Sequence, residues 1–172
     1  MLQTWRELVS GQYAAALCML DLCIDQCPDS AWNEPVGSLK FCQVAFHTLF
    51  FTDFYLEASE VSIRDQDFHR EHTEFFRDYE ELEDRQQQLL YDRPAIKEYV
   101  QHCRVKSARV VADETESTLI TRCGFSRRNC SRAELHIYNI RHIQHHAAQL
   151  SLRLRLETGD GVPWVGSGWH SG

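Results

Sequence analysis

The segment Asn139-Ile140-Arg141-His142-Ile143-Gln144-His145-His146-Ala147-Ala148-Gln149-Leu150 holds three of the nine histidines in the chain. On a helix, His142 and His146 stand one turn apart on one face, so their imidazoles can converge on one metal ion. His145 also has a workable spacing from His142, but it is rotated about 100° from His146. The stripe Leu135, Tyr138 or Asn139, His142, His146, Gln149, Leu150 and Arg153 favours the His142/His146 face. A third nitrogen must come from elsewhere, and the candidate is His47, in Phe46-His47-Thr48-Leu49-Phe50-Phe51-Thr52-Asp53-Phe54-Tyr55.

Three imidazoles from two facing helices leave a position on the ion for water or substrate, as a catalytic site needs and a structural site does not. The residue types alone equally admit a His47 satisfied in the core, and a polar layer of histidines that holds no metal. Gln149 and Asn139, one turn either side of the pair, can orient an imidazole through its other nitrogen or contact a bound water. Tyr138 or Tyr55 can supply a proton. Asp53, six residues beyond His47, is off its face and is not taken as a ligand. His69, His72, His102, His136 and His170 stand among polar residues and read as solvated.

These residues need helices to position them. A first helix is expected from about Leu2 to Cys27, where Leu2, Trp5, Leu8, Val9, Gln12, Ala15, Ala16, Met19, Leu20 and Cys23 recur at spacings of three and four. Residues 28–38 read as a loop punctuated by Pro28, Pro35 and Gly37. With Ser38 as N-cap, a second helix runs from about Leu39 to Ser59. It is apolar almost all round, which places it centrally or against a second chain. Residues 57–84 are acidic and read as a solvated connection, with short helical turns around Phe75 to Leu90. Its length suggests that it carries structure or covers a site.

Asp92 and Pro94 start a third helix that reaches about Asp113, and residues 114–130 read as loop. Ser131 and Glu134 form a capping box for a fourth helix, which runs to about Glu157. The alternation of Leu150 to Leu156 would fit a strand, yet no helix breaker occurs before Gly159. An irregular tail follows over residues 158–172, with Trp164 and Trp169 to pin it to the body or to a partner chain. The sum is an all-α chain of one domain, 1–172: a four-helix bundle with a long connection between helices 2 and 3 that permits a crossover.

A net charge of −7 argues against sequence-independent nucleic-acid binding and against docking on an anionic membrane. No apolar run approaches the ~20 residues of a membrane helix. Ala14–Leu20 lacks the basic flank of a signal peptide, so a cytoplasmic setting is expected. The seven cysteines are irregularly spaced. Only Cys23 and Cys27 pair closely, so reduced, packed thiols are expected rather than a disulfide framework or zinc finger.

His47-Thr48-Leu49-Phe50-Phe51-Thr52-Asp53-Phe54-Tyr55-Leu56, taken with Asn139–Leu150, resembles the DinB/YfiT-like superfamily of metalloenzymes. The likeness extends over most of the chain, including Trp32–Ser38 and Gly124-Phe125. It implies a four-helix bundle, commonly a homodimer, with a metal triad of one histidine on the second helix and an H-x-x-x-H pair on the last: His47, His142 and His146. Many members continue the pair as His-Arg-Gly-Gln, whereas this chain has His146-Ala147-Ala148-Gln149. The ligands are kept and the transfer of substrate contacts is weakened.

The resemblance implies a divalent-metal-dependent enzyme acting on a small molecule, of hydrolase or low-molecular-weight thiol S-transferase type. The alternative is a non-enzymatic stress-response or binding module on the same bundle. Zinc is the expected metal, with nickel, iron or copper also suited to imidazole.

Overall fold

The four long segments with helical periodicity do form helices. Helix α1 spans Leu2–Gln26. A two-residue hairpin follows, pairing β1 (Pro35–Val36) with β2 (Leu39–Lys40) around Gly37, whose φ of 69° suits glycine. Helix α2 is Phe41–Leu56. It starts two residues later than the sequence suggests because Leu39 and Lys40 are spent in the hairpin. Its N-cap is therefore Lys40, whose backbone N–H donates to Gln43 Oε1 at 2.9 Å, and not Ser38. The computed structural model describes residues 1–77 and 79–170; Asp78 in the acidic connection and Ser171 and Gly172 of the expected tail lie outside the described residues.

The segment between α2 and the next long helix is more structured than its acidic composition suggests. A 3-10 turn at Ser62–Asp65, the short helices α3 (Asp67–Glu71) and α4 (Thr73–Phe76), and a second 3-10 turn at Glu80–Leu82 succeed one another. Ile63 and Phe76 are buried anchors. Helix α5 covers Arg93–Asp113 with Asp92 as N-cap, its carboxylate accepting from the Ala95 N–H at 2.9 Å, and with Pro94 in the first turn. Within the stretch read as loop, Thr115 caps a short helix α6 (Glu116–Ile120). Helix α7 is Arg132–Thr158, with the Ser131/Glu134 capping box at its start and Gly159 in the left-handed region at its end. Leu150–Leu156 is helical.

Helix α1 packs on α5 and α7, and α2 packs on the same two helices from the other side. Cross-helix contacts give the directions. Tyr13 meets His136 and Cys23 meets Ala147, so α1 and α7 run parallel. Leu49 meets Cys103 and Asp53 meets Lys106, so α2 and α5 also run parallel. A parallel α2–α5 pair requires residues 57–92 to travel back along the body, which explains why this connection carries structure. The core holds Tyr13, Leu17, Leu20, Phe41, Leu49, Phe50, Tyr99 and Ile143. By length and composition alone α1 is apolar enough to cross a membrane, unlike the expectation of no such segment; here most of its apolar 18-residue stretch is buried, and the helix packs on α5 and α7.

The apolar circumference of α2 is covered within the chain, so it provides no argument for a second copy. All seven cysteines are free, with Cys123 and Cys130 Sγ atoms 3.6 Å apart. In the tail, Trp169 packs beneath the Arg104 guanidinium at 4.2 Å, whereas Trp164 is exposed.

The end of α2 is fastened to the start of α7. The Arg132 guanidinium donates to the carbonyls of Tyr55, Leu56 and Glu57 at 2.8–3.0 Å, satisfying the orphan acceptors of the last turn of α2. Glu114 accepts from Arg132 Nε at 2.7 Å and pairs with His136 at 3.0 Å. His136, expected in solvent, is therefore a buried bridge between α1, α7 and Glu114.

Candidate metal centre

Helices α2 and α7 lie antiparallel, and their facing positions form rungs. His47 faces His146 with ring centroids 4.8 Å apart. One turn further, Phe51 faces His142 at 5.8 Å, and after another turn Tyr55 faces Tyr138 at 5.3 Å. The i, i+4 periodicity of each helix sets this pattern. His47, His142 and His146 each offer a nitrogen, and the three nitrogens lie within 4.8 Å of one another. A tetrahedral zinc at 2.0–2.1 Å from each nitrogen wants them roughly 3.3 Å apart.

The second nitrogens fit the same reading. His47 Nδ1 lies 2.8 Å from Glu81 Oε2, and the Glu81 side chain is only 3% exposed. A carboxylate only accepts, so it holds the Nδ1–H tautomer and leaves Nε2 free. His146 Nδ1 donates to Gln149 Oε1 at 2.8 Å, with the same consequence. His142 Nδ1 is buried and has no hydrogen-bond partner among the described residues. A buried imidazole nitrogen without a partner is costly, and a metal would satisfy it.

Burial, with repulsion among the neighbouring histidines, pushes His142 down to about 3; burial likewise pushes His146 down to about 4, despite its bond to Gln149. Both are neutral at pH 7, the form that ligates metal. This donor set can therefore hold a divalent cation.

Helix α7 does not bury the face on which the sequence places His142 and His146. The buried stripe of α7 is Leu135, His136, Asn139, Ile143, Ala147, Leu150 and Leu154. It lies one position off the expected stripe, so His142 and His146 sit on its shoulder, half-buried at the α2–α7 seam. Gln149 is exposed, and the side chain of His47 is 24% exposed. The seam is open on one side. His145 is on the outer face and accepts from Gln149 Nε2 at 3.1 Å.

The other expected site residues divide. Gln149 is hydrogen-bonded to His146. Asn139 makes no hydrogen bond to a histidine among the described residues; it is fully buried and donates to Thr52 O at 2.9 Å, tying α7 to α2. The hydroxyls of Tyr138 and Tyr55 both accept from Arg128 Nη2, at 2.6 and 2.8 Å. Glu81 was not among the sequence candidates. It stands on an irregular turn of the acidic connection, where no periodicity indicates which carboxylate folds inward.

A second polar cluster lies behind the seam. Asp53 is fully buried and pairs with Lys106, itself 3% exposed. Tyr99 donates to Asp53 at 2.9 Å and His69 Nε2 lies 2.7 Å away. Burial alone would raise the Asp53 pKa, but His102, His69 and the Lys106 ammonium outweigh it and hold the carboxyl well below the usual range. His69 is thus buried, not solvated, because α3 folds back onto α2 and α5. His72 and His102 are half-buried, His72 between Phe68 O and Glu98, and His170 is exposed as expected.

No protein-family model, no curated protein and no solved structure matches this chain.

Proposed function

We propose that this protein is a divalent-metal-dependent enzyme of the DinB/YfiT-like type, with its four long helices as the family's four-helix bundle and zinc held by His47, His142 and His146. The observation that carries this reading is the convergence of three imidazoles from two helices, two with a protein group holding the second nitrogen and one with a buried nitrogen left without a partner.

Bound there, the cation would lower the pKa of a coordinated water or thiol towards neutrality. The protein's own groups have separate tasks. Glu81 and Gln149 fix the tautomers and headings of His47 and His146. Phe51, 4.9 Å from the His47 ring and 5.8 Å from the His142 ring, forms an apolar wall that excludes water from one side. The open side of the seam admits a small molecule. Hydrolysis and thiol transfer both suit such a centre.

Zinc titration of chelator-treated protein, prepared without a nickel column, tests the proposal. The expected result is uptake of about one equivalent, lost in His142→Ala, because a tetrahedral site needs its three protein ligands. Uptake below one-tenth of an equivalent by the parent protein would sink it.

A further inference from the structure

One turn beyond Phe51 and His142, the Tyr55–Tyr138 rung carries a cation. Arg128 comes from the loop between α6 and α7. Its guanidinium carbon stands 4.1 Å from the Tyr138 ring centroid and 5.3 Å from that of Tyr55. Both hydroxyls draw on Nη2, so two of its five N–H donors are engaged. Nε and Nη1 have no protein acceptor, and no carboxylate pairs with Arg128 among the described residues.

Two further arginines, Arg127 and Arg141, line clefts that meet at Arg128 and Tyr138, and they too lack a carboxylate partner among the described residues. A chain of net charge −7 therefore concentrates unpaired positive charge at this end of the seam. Arg128 also lines a cavity of about 550 Å³ whose walls include Phe51, Tyr55 and Glu81, so the cavity reaches two of the side chains that touch His47. Two carboxylates share that cavity. Glu81 is committed to His47 and Gln87, and Glu134, which lines the adjoining cleft, accepts from the Ser131 backbone and hydroxyl, which leaves Glu60 as the carboxylate of the cavity least engaged elsewhere.

We propose that the substrate of this site is a small anion with an apolar body, its carboxylate or similar group on Arg128, its body over Phe51 and Tyr55, and its reacting atom at the histidines. Rungs four residues apart on a helix are separated by ~6 Å. The anionic group and the reacting atom should therefore lie roughly 6–12 Å apart. The two phenols hold the guanidinium in place before the ligand arrives, which lowers the ordering cost of the contact. This inference rests on the metal-enzyme reading for the reacting end only; the anion contact itself needs no metal.

Calorimetric titration of the metal-free and zinc-loaded full-length protein with 3-phenylpropanoate, and with its neutral amide, tests it. The metal-free protein is expected to prefer the carboxylate by tenfold or more, the scale of one charge-assisted hydrogen bond. Arg128→Gln should abolish that preference while leaving the circular dichroism unchanged. Tyr138→Phe should reduce it, because one of the two clamps is removed. Equal affinity for acid and amide overturns the proposal, as does a preference that survives Arg128→Gln. If Arg128→Gln does not fold, an unchanged preference in Tyr138→Phe overturns it. Zinc uptake without anion preference leaves the metal reading standing and removes this one; anion preference without zinc uptake does the reverse.

Discussion

Replacing Glu81 by glutamine tests how the centre is built. His47 Nδ1 lies 2.8 Å from Glu81 Oε2, and the carboxylate is almost wholly shielded. Its other oxygen accepts from the Gln87 side chain, so the group is held at both ends. A shielded carboxylate on the far nitrogen makes an imidazole a stronger ligand and locks its tautomer. Losing such a partner typically lowers metal affinity 10–100-fold, about 1.4–2.7 kcal/mol.

Glu81→Gln keeps the size and removes the charge, and its amide can turn so that a donor faces His47. We expect zinc affinity to fall within that range, with the fold unchanged by circular dichroism. Gln149→Ala should cost less, because Gln149 is neutral and exposed and its contact with His146 competes with water. Competition against a chromophoric chelator at pH 7.5 measures both. An affinity for Glu81→Gln within threefold of the parent would refute the reasoning, since the Glu81 contact would then only fasten the connection to α2.

The buried charge cluster makes a second prediction. Asp53→Ala takes away one of the two carboxylates on the buried Lys106 ammonium, Glu57 being the other, and the shared acceptor of Tyr99 and His69; breaking such a buried network costs roughly 3–5 kcal/mol. For a chain of this size that corresponds to a fall in Tm of ~6–20 °C, and a loss below about 1 kcal/mol in urea unfolding would contradict it. Stability of the metal-free protein should also depend on pH through the centre. In the folded state burial holds His142 at about 3 and His146 at about 4, against 6.5 for an unperturbed histidine. Above pH 6.5 neither state binds these protons. Below it the unfolded chain takes them up first, so stability falls as pH drops from 6.5 towards 4. Thermal melts across that range should show the decline, shallower in the His142→Asn/His146→Asn double variant; an identical slope in that variant would contradict the assignment.

The local parts of this protein were legible in its sequence. Ser131 with Glu134, Asp92 with Pro94, and Gly159 mark helix ends because capping is settled within a single turn of chain. His142 and His146 share a face because four residues make about one turn, whatever surrounds them. The pairing with His47 depends on two distant helices running antiparallel in register, and among residues alone it stood beside a core-histidine alternative.

Tertiary structure decided the rest. Which face of α7 is buried depends on where α1 and α2 lie, and a shift of one position moved His142 and His146 from the core to an open seam. His69 and His136 are polar in their local sequence yet buried, because Asp53 and Glu114 arrive from other elements to satisfy them. Glu81 and Arg128 lie on irregular segments, whose side-chain directions follow no period. Their roles arise only where the 57–92 connection and the α6–α7 loop pass over the α2–α7 seam, since hydrogen bonds and charge pairs depend on distance in space and not on separation along the chain.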